Sequence, residues 1–117
     1  MGDIAPAIVV AKTVKGESID GFDRDHVHVV EFCATWCAPC QETIPRLAGL
    51  AKKFSGKEKF LAVSVAEKDS AAVKPFVAKM GKQMKYTVAI HRVFCEAKAA
   101  DGIMIKGWLE AAGLSGI

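Results

Sequence analysis

The chain has 117 residues, 51% of them hydrophobic and 25% charged, and 16 basic residues against 13 acidic ones leave a formal charge of +3. That length suits one domain with a single core, and the balance is globular rather than disordered or fibrous. The lysines are scattered, which argues against a nucleic-acid surface, and no stretch approaches the roughly 20 apolar residues of a membrane span.

Ile4 to Ala11 is apolar, but no positive segment precedes it and Pro6 interrupts it, so it makes a poor signal peptide. Met1-Gly2 is a weak myristoylation start, because Pro6 stands where Ser or Thr is wanted. The expectation is a cytoplasmic protein as the chain stands. The alternative is an exported, periplasmic one whose leader has been removed. Four cysteines in such a chain point to redox or metal chemistry rather than to a disulfide scaffold.

Ile8 to Thr13 alternates loosely and meets Lys15-Gly16-Glu17, then Ser18-Ile19, which predicts an N-terminal β-hairpin turning at Gly16. Residues 21–26 read as a polar surface connector, so residues 1–25 form an extension and 26–117 the core of a single domain. Val27 to Phe32 is an apolar run rich in β-branched residues, the pattern of a buried strand. A helix follows from about Ala38 to Phe54, with Ile44, Leu47, Leu50, Ala51 and Phe54 on one face, Lys52-Lys53 in its last turn and Gly56 as a stop.

Phe60 to Val65 predicts a second buried strand, parallel to the first because a helix intervenes. Asp69-Ser70 can cap a second helix that carries Val73, Phe76, Val77 and Met80 inward and stops at Gly81. Pro75 either kinks that helix or delays its start. Tyr86 to Ile90 reads as a short strand or extended segment, and a third helix from Ala97 carries the apolar Trp108, Leu109 and Ala112 and is capped by Gly113.

Cys37 and Cys40, two residues apart, sit where the first strand hands over to its helix. Unpaired N–H groups and the helix dipole favour negative charge there, so Cys37 is expected to be acidic and reactive. Cys40, one turn further in, is expected to be shielded. The pair reads as a dithiol redox centre. Two other readings stay open: small hydrophobes in a core, or a metal set in which His91 and Cys95 join Cys37 and Cys40. Glu31, inside an apolar strand, ionises with difficulty and is a candidate proton acceptor, unless it points to solvent. Trp36 is expected to shield the disulfide and help form a docking surface, with Ala38 and Pro39 setting the local backbone. Pro45 is structural, Cys33 fills core space, and His26 and His28 lie at the surface.

The run Glu31-Phe32-Cys33-Ala34-Thr35-Trp36-Cys37-Ala38-Pro39-Cys40, with Pro45 five residues beyond, resembles the thioredoxin-like superfamily. The Ala34-Thr35-Trp36 lead-in and its flanks are most similar to the TlpA/ResA-type thiol–disulfide oxidoreductases of the redoxin group. The resemblance implies an α/β, thioredoxin-like three-layer sandwich with an N-terminal β-hairpin. It also implies disulfide exchange with protein substrates and an electron donor, with Cys37 as nucleophile, Cys40 resolving, Glu31 taking the proton and no cofactor beyond the cysteine pair. In the family, the position after Gly116-Ile117 leads into a cis-proline loop, two antiparallel strands and a last helix, and no proline follows Pro75 here. The fold is therefore expected to be C-terminally truncated, with less docking surface and a bare edge on the 27–32 strand that invites self-association. Two rivals remain: a Cu(I)- or Zn(II)-binding protein using the same thiolates, and a catalytically idle interaction module. A peroxiredoxin is disfavoured, because there is no Thr-x-x-Cys site.

Overall fold

A computed structural model of the chain describes residues 2–19, 21–91 and 104–114. Four strands build one sheet: β1 (Val10–Lys15), β2 (Val27–Cys33), β3 (Glu58–Ser64) and β4 (Thr87–His91), in the order β1-β4-β3-β2. Helix α1 (Ala38–Lys53) joins β2 to β3, and α2 (Val73–Met80) joins β3 to β4. Both strand pairs are parallel, as a helical crossover requires. The strand order advances in one direction through both crossovers, so right-handed connections place α1 and α2 on the same face.

That face holds the larger apolar cluster, in which Ile44 of α1 and Val73 and Val77 of α2 meet Cys33, Ala62, Met84, Tyr86 and Val88. The opposite face packs Leu61, Val63, Val65 and Ala89 against Ile8, Ile19 and Met104. A π-helical turn at Ile105–Glu110 covers that side, and its Trp108 Nε1 donates to the Ala7 carbonyl at 3.1 Å. Gly113 (φ 77°) ends the turn: its amide donates to Glu110 O and that of Leu114 to Leu109 O, the paired bonds of a left-handed cap. The third helix was expected from Ala97, and residues 97–103 lie outside the described residues.

Three expectations need correction. The N-terminal hairpin does not form: β1 pairs antiparallel with β4, Val10 opposite His91 and Lys15 opposite Val88. Gly16 does bend the chain (φ 78°), but its second task is a close crossing of the sheet. A Cβ there would stand 2.7 Å from Thr87 Oγ1 and 2.9 Å from Thr87 Cα. Leu50 faces solvent (45% exposed), because the buried stripe of α1 runs through Cys40, Ile44, Leu47, Ala48 and Ala51. The His28 side chain is buried, packed edge-on against Phe22 at 5.1 Å, with Nε2 3.7 Å from Asp23 Oδ2.

Asp69 caps as expected, its carboxylate accepting from Ala71 N at 2.9 Å. It opens a single 3-10 turn at Ser70–Ala72, and Pro75 then falls in the first turn of α2, where its missing N–H costs little.

Candidate active site

The segment from β2 to α1 is set by its hydrogen bonds. The Cys37 amide donates to Ala34 O at 3.1 Å, which closes a tight turn at the end of the strand. Cys37 then becomes the N-cap of α1, with extended backbone angles and its sulfur accepting the Cys40 amide at 3.3 Å. Pro39 lies in the first turn, where proline is pre-organised for a helix. Cys37 and Cys40 are joined by a disulfide, with Cα atoms 5.3 Å apart.

The order of exposure is the reverse of the expected one. Cys37 is only 6% exposed, while Cys40 is half-buried. As a cap, the Cys37 side chain folds back over the helix start and does not stand out from it. The same geometry points an amide at its sulfur, so a thiolate formed there gains a hydrogen bond as well as the helix dipole. Ala38 and Pro39 are exposed beside it, and so is Trp36 (53% exposed), whose Nε1 donates to Ala66 O at 3.0 Å.

Glu31 sits opposite Ala62 in the β2–β3 register and lies half-buried. Thr43 Oγ1 stands 3.3 Å from Glu31 Oε1 and 2.8 Å from the Cys40 carbonyl, which ties the carboxyl to the first turns of α1. Burial raises the Glu31 pKa, and interactions with Thr43 and Tyr86 pull it back in part. Cys33 is a free, buried thiol whose pKa burial pushes up to about 12, with the charges of Glu31 and Glu67 adding to the rise. It is inert core, as expected.

Glu67 was missed from the sequence. Its carboxylate is 7% exposed and accepts three hydrogen bonds: Thr35 N at 2.6 Å, Thr35 Oγ1 at 2.7 Å and Ser64 Oγ at 2.7 Å. Gln41 Nε2 takes the Thr35 carbonyl at 2.9 Å, so every polar group of Thr35 is held. The sequence signal was an acid just past a strand end, preceded by Ala66, which adopts φ 53° and turns it inward.

His91 ends β4, 4% exposed, with Nδ1 unpartnered and its pKa lowered by burial against an opposing pull from Glu67. Its proposed companion Cys95 lies outside the described residues. Among the described residues no three His, Cys, Asp or Glu side chains gather as a metal site.

A four-stranded sheet with α1 and α2 on one face, and a Cys-x-x-Cys disulfide capping the helix after β2, defines a thioredoxin-like domain. A model of the thioredoxin family matches residues 10–84, and the chain belongs to that family. Thioredoxin C-2 of Corynebacterium nephridii is 35% identical over 68 residues, covering 58% of this chain and 63% of its own. The thioredoxin of Staphylococcus saprophyticus is 38% identical over 61 residues, 52% of this chain and 59% of its own. The chain thus spans about three-fifths of the length of these curated relatives. Among solved structures, a thiol-disulfide isomerase from Corynebacterium glutamicum superposes with a TM-score of 0.71 at 22% identity, over 96% of this chain and 74% of the other. StoA from Bacillus subtilis gives 0.59 at 19% identity, over 74% and 65%.

Proposed function

We propose that this protein is a thiol–disulfide oxidoreductase that reduces protein disulfides through Cys37 and Cys40. The observation that carries the reading is the capped pair: two bonded cysteines at the start of α1, the first holding an amide against its sulfur. In the reduced protein the Cys37 thiolate attacks one sulfur of a target disulfide. A mixed disulfide forms and one target thiolate leaves. The Cys40 thiol then loses its proton to Glu31, its sulfur attacks Cys37, and the second target thiolate departs as the Cys37–Cys40 bond closes. An electron donor of the dithiol class returns the pair to its reduced state, and no cofactor takes part.

Trp36, Ala38 and Pro39 supply the exposed surface beside the disulfide on which a target docks. TlpA/ResA-type kinship is supported by the Ala34-Thr35-Trp36 lead-in and by the StoA-like fold. A cytoplasmic site of action is our reading for the chain as it stands, with export behind a removed leader as the alternative.

Insulin reduction driven by dithiothreitol tests the function. The wild type should exceed the blank, Cys37→Ser should fall to it, and Cys40→Ser should accumulate a mixed disulfide. A wild-type rate equal to the blank, with the disulfide formed, would identify an idle interaction module instead. Stoichiometric copper or zinc after reducing purification, lost in Cys37→Ser, would favour the metal-binding rival.

A further inference from the structure

Tyr86 is the only tyrosine in the chain, and the mechanism above leaves it unused. It is 9% exposed, just ahead of β4, and packs in the cluster beneath α1. Its hydroxyl oxygen is buried without a hydrogen-bond partner, and so is Glu31 Oε2. The two side chains line one narrow gap, walled otherwise by Val29, Leu47, Phe60, Leu61 and Ala62 and too tight for a water. Each feels the other: Glu31 raises the Tyr86 pKa, after burial itself, and Tyr86 holds the Glu31 pKa down. They are near neighbours, but not aligned as a hydrogen bond.

Two orphaned polar atoms sharing a dry gap are costly unless they meet in some state of the protein. A protonated carboxyl has little need of a donor at Oε2. An ionised one needs it, and water cannot reach the gap to supply it. Thr43 from α1 serves only Oε1. β3 offers Ala62 directly opposite and, nearer its start, Glu58, an acceptor whose own Oε2 is buried without a partner. The other titratable groups on β2 are His28, packed against Phe22 and Asp23, and the Cys33 thiol. That leaves the phenol as the donor within reach. On its other side the Tyr86 ring, with Phe60, borders a separate cleft of about 220 Å³ at the far end of α1.

We propose that Tyr86 is a positioning residue for Glu31, its hydroxyl donating to Oε2 once the carboxyl has lost its proton. The bond holds the base ionised and ready for the next resolving thiol, and opens again when the proton arrives. This rests on the reading of Glu31 as proton acceptor.

The test uses the full chain grown with 3-fluorotyrosine, so that a single ¹⁹F resonance reports residue 86. Its shift should titrate with the midpoint that ¹³C-carboxyl spectra give for Glu31, and should stop titrating in Glu31→Gln. Tyr86→Phe keeps the ring and removes the donor. It should move the Glu31 midpoint up by about one pH unit or more, the scale of one hydrogen bond to a charged group. The acid limb of the resolving-step rate should move up with it, while KM stays unchanged. A ¹⁹F signal blind to Glu31, or a midpoint unmoved in Tyr86→Phe, overturns the proposal. If both spectroscopic effects appear but Glu31→Gln resolves mixed disulfides at the wild-type rate and pH profile, the contact stands and the proton-acceptor role falls.

Discussion

Glu67 holds Thr35 twice, by its amide and by its hydroxyl, and so anchors the approach to the disulfide to the loop beyond β3. Thr35 leads into Trp36, whose indole is fixed to Ala66 in the same loop, and then into the Cys37 cap. The approach to the sulfur pair is thus tied to a carboxylate 32 residues beyond Thr35.

Replacing that carboxylate should loosen the approach without preventing the disulfide. Glu67→Ala leaves Thr35 N–H and Ser64 O–H without their acceptor, and each orphaned buried donor costs about 1–3 kcal/mol. Urea unfolding should show a loss within that range or above it. Insulin reduction should slow, while thiol counting still finds Cys37 and Cys40 paired. An unchanged unfolding midpoint would mean that the clamp contributes nothing.

The pH dependence of stability carries two signatures of opposite sign. Burial raises the Glu31 pKa above its ordinary 4.5, so folding favours the protonated carboxyl. The stability this gives is complete below the unfolded value and is lost as pH climbs through the folded one. Glu31→Gln should therefore be more stable than wild type at neutral pH, with the advantage vanishing near pH 4. His91 behaves in reverse: burial lowers its pKa from 6.5, so stability falls as acid is added below that value. His91→Phe should flatten that part of the curve. Chemical denaturation from pH 4 to pH 8 reads both.

Gly16 and Gly56 both lie at positive φ, but they should respond differently to a methyl group. At Gly56 (φ 88°) an added Cβ meets nothing within 4 Å, so Gly56→Ala pays only the left-handed backbone cost, about 1–2 kcal/mol. At Gly16 the methyl would also press on Thr87, and overpacking of this kind adds about 1–3 kcal/mol. Thermal unfolding of the two variants should separate them in that order. Equal losses would show that the β1–β4 crossing yields easily.

Among the described residues β2 pairs only with β3, leaving its other edge open, and Val27 on it is 63% exposed. The 117-residue chain should self-associate through that edge at tens of micromolar in light scattering, and Val27→Lys should reduce the association. A monomeric wild type under those conditions would rule out the edge as an interface.

The stretch from β2 through β3 was legible in the sequence because its signals are local. A β-branched run, a turn, a cap and a helical stripe follow one another within 38 residues, from Val27 to Ser64. The partner of β1 was not legible, since pairing with β4 leaves no mark near residues 10–15, and Gly16 signals a turn equally well in either arrangement. Leu50 was misplaced because it borders the apolar stripe of α1 without joining it. Glu67 was missed because three hydrogen bonds, two from Thr35 in the loop before α1 and one from Ser64 at the end of β3, make it important, and an acid after a strand ordinarily faces water. His28 reads as a strand-end polar residue, and the contacts that help cover its ring, Phe22 edge-on and Asp23 at Nε2, come from the connector before β2.

The union of β1 with β4 also constrains how the molecule is born. Lys15 leaves the ribosome long before Thr87 has been made, and the first strand has no sheet to join until the last described one exists. Closing so long a loop comes late and slowly, after the β2-α1-β3 unit has collapsed. During synthesis β1 therefore stays without a partner strand, open to proteases and chaperones, until the fourth strand captures it.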